Sequence, residues 1–247
     1  MNIQCLAAKL DAGRSSLHQA FPMDRRYYAK HLSASRLRRI YDLADARVRQ
    51  YLAAEIAQVA SLIHPGDHIL EVGCGYGRVL GALAETAGTR WGVDNSMESL
   101  WMARSEYPGL FLALMDAGSL GFSNTSFDLV FGVQNFISAC KVPSKHLLRE
   151  CLRVVRPGGK VILSSYAEGF WPHRLEWFRQ QAAEGLLGPI DEEATGGGVI
   201  VCRDGFRATT FGPGEFENLA RSCGVKARVY SVDHASLFCE IPVPDVE

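Results

Sequence analysis

The sequence has no long hydrophobic run and no paired spacing of its cysteines. No apolar segment approaches the roughly 20 residues that a membrane-spanning helix needs, which predicts no membrane partner. The seven cysteines are an odd number, without a C-x-x-C pair or a nearby histidine, so we expect neither a disulfide framework nor a zinc site. No metal is predicted. The alternative, a trio of thiolates for a soft metalloid, requires the fold to bring distant cysteines together.

An excess of one charge is also missing, since 26 Lys and Arg stand against 27 Asp and Glu. Residues 1–64 carry a local balance of +5, but their cations are interleaved with acidic and apolar residues of an amphipathic helix. This pattern indicates a solvated helix face, and no nucleic-acid partner is predicted. A lysine and an aspartate near the start argue against a signal peptide, so cytoplasmic localisation is expected.

The most informative stretch is 68–78, HILEVGCGYGR. It begins with an apolar run typical of a strand buried on both faces, in which Glu71 is costly unless a polar group reaches it. Glycines then alternate with Cys74 and Tyr76: Gly73, Gly75 and Gly77. They let the chain turn from strand into helix and are expected to bring backbone N–H groups against a ligand. The stretch predicts a nucleotide-type cofactor site at the carboxyl edge of a parallel sheet.

The residue after the third glycine distinguishes a dinucleotide-binding site from other nucleotide-type cofactor sites. A dinucleotide-binding fingerprint requires Gly or Ala there for close packing, and Arg78 is too bulky. The pattern acidic-x-G-x-G-x-G instead resembles the first motif of the class I S-adenosylmethionine-dependent methyltransferases. The resemblance implies S-adenosyl-L-methionine as the cofactor, with S-adenosyl-L-homocysteine as its product.

Acidic residues end the next two expected strands. Asp94 ends TRWGVD, 17 residues beyond Gly77, and begins a D-x-S-x-x-x-L-x-x-A run of the same family. The resemblance implies that Asp94 binds the ribose hydroxyls and that Asp116 binds the adenine amino group. Gln134 follows the apolar strand 127–133, at the edge where the methyl group reacts. No Asn-Pro-Pro-Tyr signature stands there, which argues against adenine-N6 or a glutamine amide as the acceptor.

The resemblance therefore implies a cofactor-binding set from the N-terminal segment, the glycine loop and the strand ends. Its members are Tyr28, Glu71, Gly73, Cys74, Gly75, Gly77, Asp94, Asn95, Ser96, Asp116, Ala117 and Gln134. No motif fixes a catalytic base, and the candidates are Tyr28, Glu168 and His173.

Two segments lie outside the common core of the family. Residues 1–64 form an N-terminal helical segment expected to cover the active site, with helical periodicity over 33–63 and a break near 43–45. Residues 65–247 form the methyltransferase domain, in which 167–212 is an insertion predicted to cap the substrate. This insertion holds a tryptophan-rich helix and a hairpin around Arg203-Asp204-Gly205.

These features predict an α/β fold: a Rossmann-like, doubly wound, seven-stranded and mostly parallel sheet with an antiparallel final strand, plus N-terminal helices and a cap insertion. The predicted reaction is methyl transfer to an N, O, S or C atom of a small molecule, by a monomer or homodimer. Three alternatives remain open: an NAD-type Rossmann oxidoreductase, a non-catalytic S-adenosylmethionine-binding protein and an RNA methyltransferase.

Overall fold

The computed structural model describes residues 27–86 and 88–245. Its first part is helical: α1 (Tyr27–His31), α2 (Ala34–Asp42) and α3 (Ala46–Ala60). The expected break in the periodic pattern is confirmed between α2 and α3. There the Asp45 side chain accepts a hydrogen bond from the Val48 N–H at 2.7 Å and begins the new helix.

The central sheet has seven strands in the order β3-β2-β1-β4-β5-β9-β8. These are β1 (His68–Val72), β2 (Thr89–Asp94), β3 (Phe111–Leu114), β4 (Phe127–Gly132), β5 (Val155–Tyr166), β8 (Arg228–Val232) and β9 (Ser236–Pro242). Strand β9 runs antiparallel to both of its neighbours, whereas β1 to β5 pair in parallel. The predicted mostly parallel sheet with an antiparallel final strand is confirmed.

Helices cover the sheet because its strands are apolar on both sides. They are α4 (Arg78–Ala82), α5 (Met97–Glu106), α6 (Phe136–Ala139), α7 (Ser144–Val154) and α9 (Pro213–Ser222). One core cluster joins Leu70 and Val130 to residues of α7 and α9. A second joins Ile69 and Phe131 to α3, α4 and α5. The doubly wound arrangement brings the carboxyl ends of β1, β2 and β4 to one edge.

The predicted cap insertion contains a short 3₁₀ turn, α8 (Trp171–Ala183) and a hairpin of β6 (Ile200–Val201) and β7 (Arg207–Ala208). These elements share a third core cluster with the N-terminal helices. Hydrogen bonds join the segments; among them, Trp177 Nε1 donates to the Ile40 carbonyl at 3.0 Å, and the Tyr27 hydroxyl donates to Asp204 at 2.7 Å.

Strand β5 is 12 residues long. At its start Val155 pairs with Phe127 ahead of an irregularity in the β4–β5 register, and at its end Tyr166 pairs with Ser236 of β9. A search of the described residues for a helix both long and apolar enough to cross a membrane finds none.

Candidate functional site

A cavity of about 310 Å³ lies at the carboxyl edge of β1, β2 and β4. Its outer part follows the glycine loop and the ends of β2 and β3. Its inner part extends beneath α8, between the N-terminal helices and the hairpin. Helix α2 lies close to the loop, since a Cβ placed on Gly75 would approach Leu37 Cδ2 to 2.9 Å. The sheet, the N-terminal helices and the insertion together enclose this space.

The glycine loop is folded tightly onto the end of β2. Gly73 and Cys74 donate their N–H groups to the Val93 carbonyl at 2.8 and 3.0 Å, and Gly75 donates to Asp94 Oδ2 at 2.9 Å. The expectation that these N–H groups face a ligand is therefore wrong, because the protein itself uses them. Gly73 has a φ of +80°, and a Cβ there would lie 2.1 Å from Phe136, so only glycine fits.

The Asp94 carboxylate is held in place by backbone donors. Oδ2 accepts from Gly75, and Oδ1 accepts from the Ser96 N–H at 2.8 Å. Burial raises the pKa of Asp94, although these hydrogen bonds oppose the shift. Each carboxylate oxygen keeps further acceptor capacity, so the group can bind two neighbouring hydroxyls of a ligand.

Glu71 and Arg78 bring an acidic and a basic side chain to the wall of the cavity. Glu71 is 4% exposed, and burial raises its pKa to about 8 although the nearby Arg78 charge opposes the shift. The Arg78 guanidinium lies over the Tyr41 ring, 4.4 Å from its centroid. Glu71 Oε2 and the Nε and Nη2 atoms of Arg78 are buried without a hydrogen-bond partner among the described residues. Unpaired buried groups of both signs suit a ligand that carries an ammonium and a carboxylate.

The turn after β4 has an unusual backbone. Gln134 and Asn135 are consecutive non-glycine residues at positive φ, +58° and +60°. The Gln134 N–H donates to Glu55 Oε2 at 3.0 Å and to Ser164 Oγ at 2.9 Å, and Asn135 Nδ2 donates to the Thr209 carbonyl at 2.8 Å. Such strain persists only where surrounding contacts fix it, and it is concentrated at functional sites.

Most of the residues implied by the resemblance line the cavity: Glu71, Gly73, Cys74, Gly75, Asp94, Asn95, Ser96, Asp116, Ala117 and Gln134. Gly77 is not among the lining residues. It lies in a packed position, where a Cβ would approach Leu110, Ala103 and Tyr107.

The structure describes the side chains of two of the three catalytic candidates, and neither lies in the cavity lining. Glu168 and His173 are exposed at the start of the insertion and do not line the cavity, so the structure gives them no contact with a reacting group. Tyr28 lies in α1, but its side chain is outside the described part of the structure. Tyr27, beside it in the sequence, instead bonds to Asp204 of the hairpin turn.

Several residues at or next to the cavity were not singled out from the sequence as site residues: Tyr41, Tyr51, Glu55, Arg78, Tyr166 and Gln181. A weak signal existed for Glu55. It lies three residues after Leu52 and four before Val59, on the buried side of α3, where a carboxylate is unexpected. No His, Cys, Asp and Glu side chains among those described form a group of three that could hold a metal ion, and the thiolate trio is not formed there.

Known proteins are similar to this chain in the region that holds the glycine loop and the strand ends. The model of a family described as "Methyltransferase domain" matches residues 69–159. A malonyl-[acyl-carrier protein] O-methyltransferase of Marinomonas sp. is 31% identical over 122 residues, 47% of this chain and 44% of that protein. A phthiotriol/phenolphthiotriol dimycocerosates methyltransferase of Mycobacterium leprae is 36% identical over 98 residues, 38% of this chain and 36% of that protein. The chain thus spans less than half the length of these relatives.

A solved structure of a putative S-adenosyl-L-methionine-dependent methyltransferase from Methanococcus maripaludis has the same fold. The TM-score is 0.58 at 16% identity, over 93% of this chain and 98% of that one. The match over 69–159 covers the glycine loop that closes on Asp94 and the central strands of the sheet. Residues 69–159 are thus similar to a methyltransferase domain, and the chain shares the fold of this S-adenosyl-L-methionine-dependent methyltransferase.

Proposed function

We propose that this protein transfers the methyl group of S-adenosylmethionine to an N, O, S or C atom of a small molecule. The observation that carries the proposal is the Asp94 carboxylate, fixed by Gly75 and Ser96 at the outer part of the cavity. Beyond it, the same cavity continues into an enclosed aromatic chamber, where an acceptor would meet the donor.

The residues present fit the donor. Glu71 would bind the ammonium of its methionine part and Arg78 the carboxylate, which gives partners to the unpaired atoms of both side chains. Asp94 would accept from the ribose hydroxyls, and Asp116 with Ala117 would contact the adenine. When bound, the donor supplies a methyl group made electrophilic by the sulfonium charge. The task of the protein is therefore to align the acceptor and exclude water.

The predicted N-terminal segment 1–64 is described only from residue 27. We propose that residues 27–64 and the insertion 167–212 act as a cover on the domain formed by 65–247. The support lies in the contacts between them: Trp177 with Ile40, Tyr27 with Asp204, and Arg39 with Glu184 at 2.9 Å. The first of these contacts lies at the inner part of the cavity, where an acceptor would bind.

The matched relatives do not define the acceptor, since one name gives malonyl-acyl carrier protein and the other a phthiotriol or phenolphthiotriol dimycocerosate. The cavity supports a small acceptor, because about 310 Å³ is at the lower end of ligand-site volumes. The near-neutral net charge of −1 favours a small molecule over RNA.

Calorimetry with S-adenosylmethionine, S-adenosylhomocysteine and NAD tests the cofactor. We expect the first two to bind and NAD to give no heat; the reverse would show a nicotinamide enzyme. Labelled methyl donor, incubated with the protein and separately with a small-metabolite extract and with RNA, then tests transfer. Donor binding with no labelled product in either incubation would favour a non-catalytic protein, and label in RNA would overturn the small-molecule assignment.

A further inference from the structure

The inner part of the cavity is a chamber lined largely by aromatic rings. These belong to the N-terminal helices, the end of β5, α8 and the hairpin: Tyr41, Tyr51, Tyr166, Trp177, Phe178 and Phe206. The rings pack against one another, with the Tyr51 and Tyr166 centroids 5.4 Å apart and those of Phe178 and Phe206 5.9 Å apart. Aromatic walls of this kind select a flat, apolar ligand.

The charged side chains that line the cavity lie at its outer part, at the glycine loop and the strand ends. Arg174 is fully buried, but it lies behind the aromatic wall, over the Tyr166 ring at 4.5 Å, with Nη1 donating to the Gly198 carbonyl. A carboxylate or phosphate on the acceptor would therefore be buried against aromatic rings, at a large desolvation cost. The chamber suits an uncharged ligand.

Two buried polar groups at the chamber make no hydrogen bond of normal geometry among the described residues: the Tyr51 hydroxyl and Gln134 Nε2. Both side chains line the cavity. The Tyr51 hydroxyl lies near Glu55 and Tyr166, and burial together with these neighbours raises its pKa. Gln134 Oε1 is already used, because it accepts from the Tyr41 hydroxyl at 2.7 Å. Gln134 Nε2 can donate to a ligand oxygen, and the Tyr51 oxygen can accept from a ligand hydroxyl, so together they call for a hydroxyl group on the ligand.

Glu55 is close to both residues. Its Oε2 accepts from the Gln134 N–H, and Tyr51 stands one helical turn before it on α3. Its other oxygen accepts from the Ser164 hydroxyl at 2.7 Å and from the Ser236 hydroxyl. Burial raises the pKa of Glu55, which makes it a better proton acceptor than an exposed carboxylate.

We propose, building on the proposed function, that the chamber binds a small uncharged aromatic hydroxyl compound. Its hydroxyl oxygen lies between Tyr51 and Gln134 and is the methyl acceptor. The oxygen forms a bond to the methyl carbon, the C–S bond breaks, and its electron pair stays on sulfur as a neutral thioether. The hydroxyl proton passes to the Tyr51 oxygen while the Tyr51 proton passes to Glu55, which later releases it to water.

The need to move this proton explains why the hydroxyl is aromatic. A phenolic hydroxyl has a pKa of about 10, as in tyrosine, whereas that of water is about 15.7 and an aliphatic hydroxyl is similarly hard to ionise. Burial raises the pKa of Glu55 towards that of a phenol, so proton transfer through Tyr51 is easier from a phenol than from an aliphatic hydroxyl.

Four ring compounds of matched shape test the chamber: 4-ethylphenol, ethylbenzene, 4-ethylaniline and 4-ethylbenzoate. Each is titrated by calorimetry into protein saturated with S-adenosylhomocysteine. We expect 4-ethylphenol to bind about three- to tenfold more tightly than ethylbenzene and more tightly than the other two. Tyr51→Phe and Gln134→Met should each reduce that advantage when each variant is kept saturated with S-adenosylhomocysteine.

Tighter binding of the aniline or the benzoate would overturn the proposal, as would an advantage of the phenol that survives in both variants. If S-adenosylhomocysteine itself does not bind, the proposed function fails instead.

With labelled S-adenosylmethionine, label should appear on the oxygen of 4-ethylphenol. Glu55→Gln should lower kcat at least about a hundredfold with little change in KM, which a merely structural role would not produce. Label on carbon, no label, or an unchanged kcat would each contradict the assigned proton path.

Discussion

The Glu55 carboxylate accepts a hydrogen bond from the backbone N–H of Gln134 at 3.0 Å, across 79 positions of sequence. This bond ties helix α3 to the strained turn after β4. The N-terminal helices therefore do more than line the cavity, because one of them fixes the backbone of this turn.

Replacing Glu55 by alanine should destabilise the protein by about 3 kcal/mol, because the hydroxyls of Ser164 and Ser236 lose their acceptor in a buried position. Glu55→Gln should cost less, since the amide oxygen still accepts. Urea unfolding measures both. Gln58 lies on the same helix as Glu55 and donates one hydrogen bond to the Tyr230 hydroxyl of β8. Gln58→Ala is the control and should cost about 1 kcal/mol. Equal losses in Glu55→Ala and the control would contradict a central role for Glu55.

Donor binding should strengthen with pH because of Glu71. Its pKa of about 8 means that the carboxyl group is mostly protonated near pH 6, whereas a bound ammonium favours the ionised form. Between pH 6 and 7 the affinity should rise by up to about tenfold, with release of a proton, and Glu71→Gln should abolish the dependence. Calorimetry in buffers of different ionisation enthalpy measures both quantities.

The same group makes the stability of the ligand-free protein depend on pH in the opposite sense. The folded state holds the Glu71 proton up to about pH 8, whereas the unfolded chain releases it near pH 4.3. The unfolding free energy should thus fall as the pH rises from 4.3 to 8, by about 2 kcal/mol between pH 6 and 8. Glu71→Gln should show a smaller fall in urea unfolding at the two pH values. Parallel curves would mean that Glu71 is ionised in the folded protein.

Asp94→Asn should weaken donor binding at least about tenfold, because the amide nitrogen would face one of the two N–H groups that Asp94 now accepts from. Asp128→Asn is the matched control. Asp128 accepts from the His68 N–H at 2.8 Å and pairs with Arg156, at the start of β1 and away from the cavity. It should lose stability without losing donor affinity in calorimetry. Equal loss of affinity in both variants would argue against a site at Asp94.

Gly73→Ala should destabilise the fold by about 2–4 kcal/mol, since the new methyl group meets the Phe136 ring and φ is positive. Gly214→Ala is the comparison, because no atom lies within 4 Å of its Cβ position and it lies in α9. That change should be neutral or stabilising by up to about 1 kcal/mol. Thermal unfolding separates the two, and similar melting temperatures would show that the loop adapts.

By itself the sequence determined the features that depend on neighbouring residues. The helical period and its break before Asp45, the apolar strand before Gly73 and the acid that ends β2 are local patterns, and each was confirmed in place. Hydrogen bonding and side-chain direction within one element follow from a few residues, so these patterns are readable without a structure.

Only the tertiary structure decided which side chains meet at the chamber. Tyr51 and Glu55 come from α3, Gln134 from the turn after β4, and Trp177 from the insertion. Their contacts depend on how distant segments pack, and no local period records that. His173 was a candidate for the catalytic base, yet it is exposed, whereas its neighbour Arg174 is fully buried. The way α8 packs against its neighbours decides which of its faces is buried, and no motif in the helix records that.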